Sequence, residues 1–541
     1  MAKNERGFFS FVLHGHIPYC RKAGVWPFGE EWVLEAMAET YIPLLNLLYE
    51  LRDSEKDYKL TMGFTPVLLE QLSDEYMIER FQEYAQSRIR LAREDVKRFE
   101  SCNDGMLKDL ASFYEEYYVS ILETFQEKFN KDLVGAFRRL QDDGVLEIIA
   151  SVATHGYLPL MDTPSIYAQM KVGVDTYERH FRRRPRGIWL PECGYRPDGG
   201  DLEDLMEKLG IEYFFVDTHS IQGGKGVGLY GDGNKSISPP VEDFGERLNK
   251  TTYRPYYLVP GKISVFGRNE RTGLQVWSAE WGYPGDGSYR EFHKRDSVSG
   301  FHYWRVTSKL TDLDGKELYD RGRALDKAKE QSDHFVHLVD ELLTEFNEES
   351  GKPGILVAPY DVELFGHWWF EGIDWLGQVL EKMARNPRIR MTTGSEYLRL
   401  YAPDEVISLP ESSWGLGGKH YIWENGDTKW MWSDLQIESK RMKDIVERFK
   451  DTEVDSLAER ALNQASRELM LLQSSDWPFL VTTKQAAEYA SGRFMEHKRR
   501  FNRLIEAVEN QEFHGAFIEE LAEIEERDNL FPDVDYRVYE G

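Results

Sequence analysis

Seven short runs of apolar, β-favouring residues recur along the chain, separated by longer stretches with helical spacing: Phe8–Leu13, Tyr58–Gly63, Val145–Ala150, Arg186–Leu190, Glu212–Val216, Ile263–Phe266 and Ile355–Pro359. Strand–helix alternation of this kind predicts an α/β fold with a parallel sheet or barrel, its site at the carboxyl ends of the strands. Several runs end on residues that carry chemistry: His14-Gly-His16, Gly63-Phe-Thr-Pro66, His155, Glu192, Asp217 and Asp361. A barrel gathers such ends at one rim.

Three stretches depart from the alternation. Residues 73–143 are rich in Glu, Arg, Lys and Leu at helical spacing and predict a helical insertion. Ile221–Val241 is dense in glycine, with Tyr230 in its middle, and predicts a flexible active-site loop. After Tyr401-Ala-Pro403 the character changes, and from Ile437 the pattern is mostly helical apart from a break near Asp476-Trp-Pro478. The expected organisation is a catalytic unit over 1–402 and a C-terminal α-helical domain over 403–541 that contributes to the active-site cleft.

Charge narrows the partners. The 541 residues include 94 acidic and 67 basic side chains, a net charge of −27. Nucleic acid and anionic membrane surfaces need clustered Lys and Arg, so neither is the expected partner; a neutral polymer is not repelled. The first apolar run is too short for a secretion signal, and no stretch approaches the roughly 18 apolar residues of a membrane span. Cys20, Cys102 and Cys193 are scattered and odd in number, which points to reduced thiols in a cytoplasmic protein.

Two segments concentrate the candidate chemistry. Trp189-Leu-Pro-Glu192-Cys-Gly-Tyr195 sets a carboxylate between a proline, which keeps Leu190 extended, and Gly194, where the chain is expected to turn. Tyr360-Asp361-Val-Glu363-Leu-Phe-Gly-His367-Trp-Trp369 places two carboxylates, two residues apart, among aromatics. Paired carboxylates beside stacking surfaces suit glycosidic chemistry, in which one attacks the anomeric carbon and the other protonates the leaving oxygen. His14 and His16 are two apart at a strand end, and zinc ligation, hydroxyl binding and structural pairing are all open to them. His155 ends another strand, and Asp476 is a helix cap or a site residue. Trp277, Trp281, Tyr283, Trp414, Trp423, Trp430 and Trp432 fall in two glycine-containing regions, about half of them expected against a sugar ring.

Five ordered segments then resemble the motifs of glycoside hydrolase family 57: His14–Tyr19, Gly63–Pro66, Trp189–Tyr195, Tyr360–His367, and Arg467-Glu-Leu with Ser475-Asp-Trp-Pro478. Cys193, Gln275-Val-Trp277, Tyr283-Pro-Gly-Asp286, Ser413-Trp-Gly415 and Trp423 are similar to its members that branch α-1,4-glucans. The resemblance implies an incomplete (β/α)7 barrel followed by a helical domain, with Glu192 as nucleophile and Asp361 as general acid/base. It implies His14, His16, His155, Arg268, Trp277, His367, Trp414, Trp423 and Asp476 as substrate-binding positions, with Tyr230 as an unaligned candidate at the loop tip. It implies no cofactor and no catalytic metal, an α-1,4-glucan as partner, transfer to a glucan 6-hydroxyl in glycogen synthesis, and a monomer or small homo-oligomer. An α-glucan hydrolase or 4-α-glucanotransferase is the nearest alternative; a metal-dependent deacetylase or mannosidase, or a non-catalytic glucan-binding protein, is more distant.

Overall fold

Side-chain alternation along the first strand sets the plan of the molecule. The computed structural model describes residues 6–197, 202–226, 243–246, 248–259, 261–278, 282–450 and 455–540. Its strands are β1 (Gly7–Gly15), β2 (Leu60–Phe64), β3 (Leu146–Ser151), β4 (Ile188–Trp189), β5 (Tyr213–Val216), β6 (Tyr256–Leu258), β7 (Ser264–Gly267), β8 (Gly354–Asp361), β9 (Ile389–Met391) and β10 (Val406–Ile407). Phe8 and Val12 of β1 pack with Ile149, Trp189, Phe215, Phe266, Ile355 and Val357 in one inner cluster. Phe9, Phe11 and Leu13 belong to the much larger core formed with the helices. The two-residue period carries the inner face on to His14, at the carboxyl end of the strand.

Seven parallel strands line that interior. β8, β1, β2, β3 and β4 follow one another in a parallel ladder, and β5 pairs in parallel with β7. The two groups meet through a parallel bridge between Gly187 and Tyr213. Among the described residues β7 and β8 form no ladder; Asn269 N donates to Val357 O at 2.9 Å across the seam. The barrel is therefore incomplete, and its seven strands are the seven runs read from sequence. Short β6, β9 and β10 were not foreseen: β6 lies antiparallel on β7, while β10 pairs in parallel with β6 and β9 in parallel with β1.

Between β2 and β3 the chain runs through helices Pro66–Ser73, Glu75–Ser101, Gly105–Glu123 and Leu133–Asp142. Asp74, Asp104 and Asp132 each cap the next helix, accepting from the backbone N–H of Met77, Leu107 and Gly135. The C-terminal helices are Lys429–Phe449, Ser456–Leu472, Asp476–Thr483, Ala487–Asn510 and Gly515–Arg527. No helix is long and apolar enough to cross a membrane among the described residues. Buried Glu468, His497 and Asp528 in these helices are close enough for a metal, yet Arg493 and Arg500 donate to His497 and Asp528 at 2.8 and 2.9 Å. They form a compensated ion network.

Candidate active site

The turn after β4 holds the first carboxylate in an unusual backbone state. Glu192 (φ 62) and Cys193 (φ 50) are both left-handed, as is His155 (φ 57) after β3. Each costs about 1 kcal/mol or more for a residue with a Cβ. Sequence reasoning put the sharp turn at Gly194, but Gly194 has φ −72 and ψ 121. What glycine supplies there is space: a Cβ would stand 2.8 Å from Tyr157 Cε2. A strip of residues 412–414 secures the strained turn. Tyr195 and Ser412 exchange backbone hydrogen bonds of 2.9 Å, and Trp414 N donates to Glu192 O at 2.9 Å. The Trp414 indole Nε1 then donates to Glu192 Oε2 at 2.6 Å.

Asp361 ends β8 in register with His14 of β1, so the two stand side by side on the inner rim. Glu363 turns to a supporting task. Its carboxylate accepts from the Tyr41 hydroxyl and from His16 N, the latter at 3.0 Å. Burial raises Glu363 to about 8.

Burial also pushes the Glu192 carboxyl up to about 8, and the Asp361 charge adds to the rise; the Trp414 hydrogen bond opposes it. The surroundings of Glu192 thus favour its protonated form in the free protein. Above about pH 8 Glu192 loses that proton. The expected result is a kcat/KM that falls as pH rises through about 8, read from a pH–rate profile; a flat profile to pH 10 contradicts it.

Three histidines stack beside the carboxylates. The rings of His16 and His155 lie 4.0 Å apart, His14 and His155 5.2 Å apart, and Trp189 covers His14 at 4.9 Å. A Cβ at Gly63 would press on Ile149 Cγ1 at 3.3 Å and touch His14 Nδ1 and Trp189 Cβ at an ordinary 3.5 Å. His14 Nε2 and His155 Nε2 share a hydrogen bond of 3.1 Å, and His155 Nδ1 meets Ser475 Oγ at 2.8 Å. His16 is held by Thr65 Oγ1 at 3.0 Å and by Asp476 Oδ1 at 2.9 Å. Burial holds His14 and His155 well below the usual imidazole range, so both are neutral. Five of the six ring nitrogens are thus committed and His14 Nδ1 alone of them lacks a partner among the described residues, so the stack does not converge lone pairs on a metal; neutral rings of this kind suit hydroxyl groups. Asp476 and Ser475 come from the C-terminal helices, so the site is completed across the chain.

The sequence profile of glycosyl hydrolase family 57 matches residues 10–410. The chain belongs to glycoside hydrolase family 57. A second profile, of the C-terminal domain of 1,4-α-glucan branching enzymes, matches residues 434–539. A 1,4-α-glucan branching enzyme of Thermococcus kodakarensis is 45% identical over 544 residues, covering 98% of this chain and 78% of that protein. Its crystal structure superposes with a TM-score of 0.90 at 44% identity, covering 99% of this chain and 97% of that one. The family 57 branching enzyme of Pyrococcus horikoshii gives 0.87 at 42%, with coverage of 99% and 97%. An α-amylase of Thermotoga maritima gives 0.85 at 33%, covering 99% of each chain.

Within this family 57 site the remaining expected positions fall into distinct places. Trp277 approaches Trp414 at 6.3 Å and Trp368 at 6.5 Å, forming an aromatic wall above the mouth. Arg268 is not open to a ligand: both its Nε and Nη2 donate to Asp217 at 2.9 Å, and it lies 5.5 Å over the Trp414 ring. Trp423 is fully buried and stacks on Tyr157 at 4.1 Å, so packing, not sugar contact, is its role in this structure. Trp432 and Tyr283 are buried too. His367 belongs to a neighbouring cluster, its N bonded to Thr40 Oγ1 at 3.1 Å and its Nδ1 4.0 Å from Glu35. Tyr230 and Trp281 lie outside the described residues. Sequence reasoning missed the structural part of Tyr41, for which no local pattern exists; Thr65, Trp189 and Ser475, each already inside a motif, were readable omissions.

Proposed function

We propose that this chain is a 1,4-α-glucan branching enzyme that works by double displacement with Glu192 as nucleophile and Asp361 as acid/base. The observation that carries the reading is the buried Glu192 carboxyl, held by the Trp414 indole and close enough to Asp361 to feel its charge, within a chain 45% identical to a branching enzyme over 98% of its length. Residues 1–402 form the catalytic unit, and residues 403–541 supply Trp414, Ser475 and Asp476. A glycogen-like polymer is the substrate, and free buried thiols at Cys20 and Cys193 suit a reducing, cytoplasmic setting.

In the first step the Glu192 carboxylate attacks the anomeric carbon while the bond to the leaving 4-oxygen breaks, and Asp361 gives that oxygen its proton. Retaining chemistry of this kind sets the carboxyl groups about 5–5.5 Å apart. Binding must therefore move the resting proton from Glu192 to Asp361. Positive charge growing at the anomeric carbon favours the Glu192 anion, and the Trp414 N–H stabilises it. In the second step a glucan 6-hydroxyl attacks the glycosyl ester, its proton passes to Asp361, and Glu192 departs. Water in place of the 6-hydroxyl gives hydrolysis, the activity named for the T. maritima relative.

Incubation with amylose separates these outcomes. Proton NMR is expected to show new α-1,6 linkages with few new reducing ends. Reducing ends without α-1,6 signal would replace this reading with a hydrolase.

A further inference from the structure

Behind Trp414 lies a set of contacts that the two chemical steps do not use. The turn 412–418 is zipped on one side to the Glu192–Tyr195 segment. On its other side it rests on the residues that follow β5. His219 Nε2 lies 3.3 Å from Gly418 O, and Ser220 Oγ donates to Ser412 Oγ at 2.8 Å. Gly418 O also accepts Ser413 N at 2.8 Å, next to Trp414 in sequence. His219 Nδ1 makes the longer approach, 3.5 Å to Asp217 Oδ2, on a carboxylate that already accepts from Arg268 Nε, Arg268 Nη2 and Thr218 N. The shorter contact is to a carbonyl oxygen, which can only accept, so the one N–H of a neutral imidazole belongs on Nε2, facing Gly418. Gly418 (φ 88) has no spare space: a Cβ would stand 2.9 Å from Gly226 Cα and from Phe244 Cε2, and 3.2 Å from His219 Nε2. Phe244 in turn packs on the His219 ring at 4.4 Å.

We infer that His219 is a positioning residue for Glu192: by holding the Gly418 carbonyl it fixes the turn from which Trp414 hands its indole N–H to the Glu192 carboxylate. The inference rests on the reading of Glu192 as the nucleophile. The groups facing Glu192 are Asp361, Asp476 and His155, none of which His219 touches through this path. Those facing His219 are Asp217 and Arg268, with Lys225 and Asp243 bridged nearby.

The test is the alkaline limb of kcat/KM on amylose, with thermal unfolding measured for each variant. Trp414→Phe removes a hydrogen bond that favours the anion, so the limb is expected to rise by about one pH unit. His219→Leu is expected to raise it by about half as much. His219→Gln, whose amide can still donate to Gly418 O, is expected to stay near the parent. The double variant His219→Leu/Trp414→Phe is expected to match Trp414→Phe alone, because the path is already cut. A limb moved by Trp414→Phe but not by His219→Leu overturns the inference, as does full additivity in the double variant. A limb unmoved by Trp414→Phe also overturns it, while the nucleophile assignment is judged separately by Glu192→Gln. Should His219→Leu fail to fold, Ser220→Ala loosens the same turn at Ser412: a raised limb supports the inference and an unmoved one overturns it.

Discussion

Glu192→Gln is expected to abolish glucan turnover, by about four orders of magnitude or more, and to leave the protein more stable than the parent. The first effect follows from the loss of the nucleophile: no glycosyl ester can form, and only binding and the aromatic walls remain. The second follows from the sign of the shift. The folded carboxyl sits at about 8, against about 4.3 in an unfolded chain, so between these values the native state holds the extra proton. A group raised in this way costs stability progressively as pH rises from about 4 to 8. A neutral amide of the same shape keeps an acceptor for Trp414 and removes that cost, worth about 4–5 kcal/mol at pH 8. For a chain of 541 residues this corresponds to about 4 °C in Tm. Calorimetry at pH 8 and at pH 4 decides it: the gain should be present at the first and absent at the second. Wild-type turnover in this variant would remove Glu192 from the mechanism.

Asp476→Ala should reduce kcat/KM about 100-fold with little loss of fold, and Asp476→Asn by less than tenfold. His16 is held from two sides, by Thr65 and by Asp476. Without the carboxylate its ring is free to leave the stack on His155, and displacements of about 1 Å in a positioned site cost on the order of 100-fold. The amide retains an oxygen that accepts from His16 Nε2, which is why its effect is milder. Steady-state kinetics of both variants on amylose measure this. Equal activity of Asp476→Ala and the parent would show that the C-terminal helices do not serve the site.

The barrel was readable because its strands are buried on both faces and end in loaded residues. Phe8–Leu13, broken only by Ser10, and Ile355–Pro359 are apolar runs, and parity along them delivers His14 and Asp361 to the inner rim. What escaped depends on contacts with no local signature. The strain sits on Glu192 and Cys193, not on the adjacent glycine, because bonds from 412–414 stabilise it there. Trp423 and Trp432, read as loop aromatics, are buried: Gly415 packs directly on the Trp423 ring, and Trp432 lies in the helix Lys429–Phe449 with its Nε1 donating to Trp423 O at 2.8 Å. Trp430, of the same set, is exposed as read, and further exposed rings are found at Trp26 and Trp368. The link between Asp476 and His16 joins positions that only the assembled chain brings together.

The two carboxylates are held by different means. Asp361 closes β8, which is laddered to β1 along its whole length, with the Asn269–Val357 bond across the seam on its other side. Glu192 follows β4, a strand of two residues that pairs with β3 and is joined to the next strand by the single bridge of Gly187 and Tyr213. Its place therefore depends on the 412–414 strip that staples the turn. Mild denaturant that frees this strip should displace Glu192 while Asp361 stays on its ladder.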